Sequence, residues 1–305
     1  MSAPGVSPQK PLRIGSRGSQ LALWQANYIA DALRSLGHSV SIQIIKTTGD
    51  RLQDAAFREA NPGAEDGKGI FIKEIEEALA AGSIDLAVHS LKDLPTELAP
   101  QFAIAAVPAR VDARDVLVTV GGKTLYELPE GARVGTTSPR RQTQLLALRD
   151  DIQFVAMRGN IDTRLRKLQG GQADALVLAA AGLARLGLTQ QISHWFSVSE
   201  LCPAPGQGAL AIECRAEDAA TQALLKPLDD VPTRYAVTAE RAALHELGGG
   251  CSVPIGIFCE PGRGGCTLHG ARSVGAELVR REIAAAADVP AVEAGLLMAD
   301  ALRGV

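Results

Sequence analysis

Aromatic residues make up only 4% of this 305-residue chain, with two tryptophans and three tyrosines. That is too few for a platform that stacks nucleic-acid bases. An excess of positive charge is missing as well. The formal net charge is −3, so no bulk basic field draws nucleic acid or anionic lipid. No apolar run reaches the roughly 18–20 residues that a membrane-spanning helix needs. Residues 1–10, rich in Pro, Ser and Gly, lack the apolar core of a secretory signal and read as a disordered tail. Cysteine is scarce: Cys202, Cys214, Cys251, Cys259 and Cys266 are odd in number and contain no CxxC pair. Free thiols in a reducing, cytoplasmic compartment are expected. The five histidines (His38, His89, His194, His245 and His269) form no metal-ligand pair with one another or with cysteine, so no zinc site is expected.

What is present is ordinary globular composition, 46% hydrophobic and 21% charged. The length suits two or three domains. Short β-branched runs alternate with Ala/Leu-rich helical stretches, which predicts mainly parallel sheets with crossover helices. Leu12–Ile14, Val40–Lys46 and Ile84–His89 read as strands, and Leu21–Ser35 and Ile70–Ala81 as helices. Residues 48–69 show no clean periodicity and read as a long loop, either an active-site lid or plain disorder. A short internal repeat is visible. Arg13-Ile14-Gly15-Ser16 parallels Arg133-Val134-Gly135-Thr136, and the run from Gly82 to Val88 parallels the run from Gly171 to Val177. Turn formers at Pro108–Arg114 and Pro203–Gly208 mark crossovers between two such α/β domains. After Pro232 a helix, Tyr235–Leu247, leads into Gly248-Gly249-Gly250-Cys251, and the remainder reads as a smaller domain. The expected division is 1–108 with 208–228, then 109–207, then 229–305.

Three constellations could carry chemistry. Arg17, Arg140, Arg141, Arg158 and Arg164 fall at strand-to-helix junctions, with Ser138 beside the pair. Open α/β sheets place ligands at such junctions, and the guanidinium fork suits carboxylates. Any one of these arginines alone could equally be a solvated charge. Lys92-Asp93 lies just past a strand end and is stiffened by Pro95. Asp93 could stabilise a cation or move a proton there, or merely cap a turn. The glycine run permits close approach of another group to the Cys251 thiol, although a lone cysteine is commonly a small buried hydrophobe.

Together these segments closely resemble the porphobilinogen deaminase (hydroxymethylbilane synthase) family. The resemblance runs from Arg13 to about Gly256. It rests on Ser19–Gln25, Gly67–Glu74, Val88–Pro95, Val134–Gln142, Arg158–Arg164, Ala181–Leu188, Pro205–Ala209 and Gly248–Cys251, eight motifs in family order. It implies a cytoplasmic, monomeric transferase that joins four porphobilinogen molecules, releasing ammonia at each step, and then frees linear hydroxymethylbilane. A dipyrromethane primer would be held by thioether to Cys251. Asp93 would hold pyrrole N–H groups and stabilise the azafulvenium-type cation. Arg17, Ser19, Lys92, Ser138, Arg140, Arg141, Arg158, Arg164 and Arg185 would bind cofactor or substrate side chains, and Lys68 and Phe71 match the lid motif. Arg140 and Arg141 would grip the primer, and Arg185 the later units.

The implied fold is two periplasmic-binding-protein-like α/β domains plus a smaller α+β C-terminal domain. Because porphobilinogen carries acetate and propionate chains, a growing chain adds two carboxylates per unit, which accounts for many arginines in a nearly neutral protein. Ala64-Glu65-Asp66 departs from relatives that carry a further lysine before Gly-Lys-Gly. Two other readings are a non-catalytic binding protein for a small dicarboxylate and a hydrolase using Cys251 with His89, His245 or His269. The first requires neither Asp93 nor the Gly-Cys loop, and for the second no sequence motif orients a histidine toward Cys251.

Overall fold

Apolar residues line the first strand, β1 (Leu12–Ser16), which pairs in parallel with β2 (Val40–Ile44) and β3 (Leu86–Ser90). The computed structural model describes residues 10–51, 72–249, 253–275 and 277–304. The crossover from β1 to β2 is α1 (Gln20–Ser35). It begins where the Ser19 hydroxyl accepts from the Ala22 N–H, and it buries Ala26, Ile29, Ala30 and Leu33 on one face. A short turn, α2 (Thr48–Arg51), and α3 (Lys73–Ala80) follow. With β4 (Phe102–Ala106) and the later β10 (Leu210–Arg215), the strand order is β2-β1-β3-β10-β4. Helix α7 (Ala219–Leu225) follows β10.

A second five-stranded sheet repeats the plan. Its strands are β5 (Asp115–Thr119), β6 (Arg133–Gly135), β7 (Gln153–Val155), β8 (Ala175–Ala179) and β9 (His194–Trp195), in the order β7-β6-β8-β5-β9. Helices α4 (Pro139–Leu146), α5 (Ile161–Gln169) and α6 (Ala180–Arg185) are interleaved. The short sequence repeat is reproduced bond for bond. The N–H of Arg13 donates to the Asp85 carboxylate at 2.8 Å, and that of Arg133 to Asp174 at 2.7 Å. In return the Asp85 and Asp174 N–H groups donate to the Arg13 and Arg133 carbonyls, each at 2.8 Å. Gly82 (φ 65°) and Gly171 (φ 72°) end the preceding helices in the left-handed conformation that glycine adopts without steric cost. Two strand starts that share such a reciprocal lock are a structural repeat rather than a chance likeness.

The remainder is a three-stranded antiparallel sheet, β11 (Ile255–Gly262), β12 (Gly265–Val274) and β13 (Glu277–Ala286), packed against α8 (Val231–Glu246) and α9 (Ala291–Arg303). Ile257, Leu268, Ala239, Met298 and Leu302 form its core. The chain divides into two compact units, residues 1–89 with 98–106 and 211–229, and residues 90–97 with 107–210 and 230–305.

Within the second unit, one carboxylate joins three separate segments. Glu240 on α8 is fully buried and takes a two-pronged contact from Arg110, at 2.6 and 3.2 Å. It also accepts the backbone N–H groups of Gly206 (2.7 Å) and Cys259 (2.9 Å). Converting Glu240→Gln removes the charge and strands the Arg110 guanidinium in the interior. Breaking one side of a buried pair typically costs about 3–5 kcal/mol. Denaturant titration is expected to show a loss of that size, and a loss below about 1 kcal/mol would contradict the joint.

Candidate functional site

Leu91–Asp93 follows β3 as a single 3-10 turn, pinned by buried Leu91 and Leu94. The Leu91 N–H donates to the Ala209 carbonyl. Gly206 (φ 74°) lies so close that a Cβ there would be 2.9 Å from the Leu91 side chain, so the Pro203–Gly208 loop needs glycine at that point. The turn is therefore rigid, and it presents Asp93 to solvent while Lys92 turns partly inward.

Beside it sits Asp115, the first residue of β5, with no exposed surface. Arg140 reaches it at 2.8 Å and Arg141 at 2.6 Å, both from the first turn of α4. The buried Gln207 amide donates to Asp115 at 3.0 Å and to the Ala113 carbonyl at 2.7 Å, and its oxygen faces the Lys92 ammonium at 3.4 Å. Burial alone would raise the Asp115 pKa, but Arg140 and Arg141 outweigh it and hold the group down to about 2. Lys92 moves the other way from its usual range. Loss of hydration dominates, the nearby Arg141 and Arg140 add to it, and Asp93 only partly offsets it, leaving a value of about 8. Lys92 is nonetheless only half-buried and reaches solvent.

The remaining candidates divide by setting. Arg164 in α5 donates to the Gly159 carbonyl at 2.7 Å, and burial, aided by Arg141, lowers its pKa. Arg158 is exposed, and its carbonyl accepts from Lys167. Ser138 occupies the N-cap position of α4, with its N–H on the Thr136 hydroxyl. Arg185, at the end of α6, is buried and donates to the Gly208 carbonyl at 2.7 Å. Arg17 and Ser19 belong to the first unit. Arg17 pairs with Asp50, and Ser19 caps α1. Cys251, Lys68 and Phe71 lie outside the described residues, as does most of the 48–69 loop. The first two glycines before Cys251 have a structural task. The Gly248 and Gly249 N–H groups close α8 onto the His245 and Leu244 carbonyls, with Gly248 at φ 64°.

Asp115, Gln207, Arg110 and Glu240 escaped the sequence reading. Their side-chain partners lie 19 to 130 residues away, so no local spacing advertises them. Gln207 did sit inside a recognised motif, Pro205–Ala209, without being singled out.

Lys92, Arg140, Arg141 and Arg164 thus set four cations against two carboxylates, Asp93 and Asp115, all within electrostatic reach of one another. Fixed guanidiniums outnumbering their counterions define an α/β protein built to hold small, carboxylate-rich molecules. A family model for "Porphobilinogen deaminase, dipyromethane cofactor binding domain" matches residues 12–223, and one for the C-terminal domain of the same enzyme matches residues 234–296. Porphobilinogen deaminase of Brevibacillus brevis is 52% identical over 252 residues, covering 82% of this chain and 80% of the relative. That of Syntrophotalea carbinolica is 47% identical over 278 residues, covering 90% and 87%. A solved methionine-binding protein, MetQ, aligns at TM-score 0.47 and 13% identity over 71% of this chain and 89% of its own, a likeness that carries no argument.

The chain belongs to the porphobilinogen deaminase family. Its activity is that of a transferase that polymerises porphobilinogen into hydroxymethylbilane for haem and porphyrin synthesis, using a dipyrromethane cofactor. The donor set fits that cofactor. Its acidic side chains match the cationic excess.

Two outcomes follow from the geometry. Arg141 donates to Asp115 and to the Val177 carbonyl, so Arg141→Leu removes one of the two guanidiniums of a buried ion cluster. Thermal and denaturant unfolding should show a loss of roughly 3–5 kcal/mol, where an arginine acting only on ligand would leave stability unchanged. The second outcome concerns pH. Since the folded Lys92 value lies below the ordinary 10.5, Lys92 loses its charge as pH rises through about 8, where an ordinary lysine would keep it. KM for porphobilinogen should therefore climb above pH 8, and Lys92→Arg should abolish that climb. The same KM profile in both proteins would remove Lys92 from carboxylate binding. By linkage, Lys92 makes folding more favourable with rising pH between about 8 and 10.5, because the unfolded chain then binds the extra proton.

Proposed function

We propose that Asp93 is the catalytic carboxylate of this deaminase and that Cys251 carries its dipyrromethane cofactor by thioether. The observation that carries the reading is Asp93 itself, an exposed carboxylate on a rigid turn, flanked by Lys92 and Arg164. The cations anchor acetate and propionate groups, which leaves the pyrrole ring to Asp93. Its carboxylate accepts the pyrrole N–H and stabilises the cation that develops as ammonia departs, an interaction that strengthens as charge forms. The bound cofactor supplies a nucleophilic pyrrole carbon from which the chain is extended. Arg140 serves the carboxylates present from the start, since its contacts to Asp115 and Cys202 engage two of its five N–H donors. Arg158 and Arg164 suit carboxylates as well, and Arg185, which also donates to the Gly208 carbonyl in the loop against which the catalytic turn packs, is the arginine for the later units. Arg17, Ser19, Ser138, Lys68 and Phe71 complete the binding set on the strength of their motifs.

The same reading divides the chain into domains 1–108 with 208–228, 109–207 and 229–305, each of which holds one sheet. It takes the protein as a cytoplasmic monomer without nucleic-acid or membrane partners. Support comes from the net charge of −3 and from four buried free thiols.

Two variants test the assignment. Cys251→Ala should fold normally yet show no dipyrrole adduct by intact mass and make no hydroxymethylbilane, whereas Ala at Cys202, Cys214, Cys259 or Cys266 should leave the adduct in place. Asp93→Asn keeps shape but removes charge, and its rate should fall by on the order of 10²–10³. An adduct on Cys251→Ala, or Asp93→Asn within a few-fold of wild type, would sink the respective role.

A further inference from the structure

The C-terminal sheet reaches the arginine cluster through a continuous chain of hydrogen bonds. Arg280 on β13 donates to the Gln144 side-chain oxygen at 3.1 Å and to the Glu200 carbonyl at 2.8 Å. Gln144 on α4 is almost fully buried and grips both sides of one residue. Its oxygen accepts the Cys202 N–H at 2.7 Å, and its nitrogen donates to the Cys202 carbonyl at 3.1 Å. That same carbonyl accepts the Arg140 guanidinium at 2.6 Å. The sheet also bears on this point directly. Gly256, Ala271 and Arg280 are aligned across β11, β12 and β13, and a Cβ at Gly256 would stand 2.5 Å from the Cys202 oxygen. The Ile257 N–H donates to the Pro203 carbonyl at 3.0 Å, and the Cys202 thiol to the His269 carbonyl at 3.5 Å.

Asp115 sets one end of the Arg140 guanidinium and Cys202 the other. Asp115 is anchored within the second sheet, whereas the Cys202 carbonyl is held by Gln144 and by the C-terminal sheet. We propose that Arg280, through Gln144 and the Cys202 carbonyl, is a positioning residue that aims Arg140 at the carboxylates of cofactor and substrate. The C-terminal sheet then does more than follow the cofactor-bearing loop in sequence, because it also fixes the direction of a binding arginine. The inference rests on the reading of Arg140 as a carboxylate-binding group.

The test compares Arg280→Gln, Arg280→Lys, Arg281→Gln and Arg140→Lys as purified holoenzymes. Arg281 is the neighbouring exposed arginine, which donates to the Arg280 carbonyl, and it serves as the control. Three quantities are read: the fraction of chains carrying the dipyrrole by intact mass, KM and kcat for porphobilinogen, and Tm. Misaiming Arg140 weakens ground-state and transition-state binding together, so Arg280→Gln should raise KM with kcat nearly held. About tenfold is expected, the lower end of what loss of an orienting partner costs elsewhere. The dipyrrole-bearing fraction should fall, and Arg280→Lys, which can still donate to Gln144 or to Glu200, should restore part of both effects. Arg281→Gln should match wild type.

If Arg280→Gln keeps wild-type KM and dipyrrole content while Arg140→Lys loses both, the positioning role is wrong and the reading of Arg140 stands. If Arg140→Lys is also unchanged, the reading of Arg140 falls and takes the inference with it. If the Arg280→Gln defects merely track its loss of Tm and vanish when assayed well below Tm, the contact is structural and the inference is overturned. Gln144→Leu is less suitable, because it strips the Cys202 peptide of both Gln144 bonds in the interior and confounds aim with stability.

Discussion

Two adjacent guanidiniums cannot share a buried site unless something negative lies between them, and here that is Asp115. Like charges a few ångströms apart inside a protein repel strongly, and each loses hydration as well. With Asp115 fully buried at the start of β5, Arg140 and Arg141 become a fixed array, held before any ligand arrives. The neighbouring parts follow from that pair. Gln207 is recruited as a neutral donor on the same carboxylate, and its oxygen then faces Lys92. The Gln207 carbonyl accepts from Arg110, which closes on Glu240. Asp115 and Glu240 thereby both hold the Pro203–Gly208 loop, through Gln207 and Gly206, and against that loop packs the turn that carries Asp93.

The features legible in the sequence were those written in local spacing. The strand starts at Arg13 and Arg133, the helix Gln20–Ser35 and the terminating glycines at 82, 171 and 248 all rest on contacts within a few residues or on periodicity. The internal repeat was legible for the same reason, because its lock needs only an arginine, an aspartate and the glycine that turns the preceding helix. The helix expected over Tyr235–Leu247 begins earlier, at Val231, because Asp230 caps it and Pro232 fits its first turn, where no N–H is required. A proline taken as a boundary was in fact a starting signal.

The buried polar partners were illegible for a physical reason. An aspartate that opens a β-strand, or a glutamate in mid-helix, has the same letter whether it is solvated or at the centre of an ion cluster. Only tertiary contact separates the two. Composition hinted at the arginines, since many guanidiniums in a chain of net charge −3 need a destination. It could not divide them into those spent on the fold and those turned toward ligand. Arg141 shows why that division is not sharp: its bonds to Asp115 and the Val177 carbonyl build the interior, while its charge still depresses Lys92 and Arg164.

That sharing suggests how the site manages a ligand whose charge grows. An empty pocket of unpaired cations would be unstable, and one fully neutralised would not attract carboxylates. Asp115 neutralises part of the cluster permanently, which lets the guanidiniums be fixed at a tolerable electrostatic cost. Burial pushes down the pKa values of Lys92, Arg164 and Arg140 alike, although Asp115 partly offsets it at Arg140. A further negative charge near them would favour their charged forms. Affinity can then rise with each unit added without loosening the frame that holds Asp93.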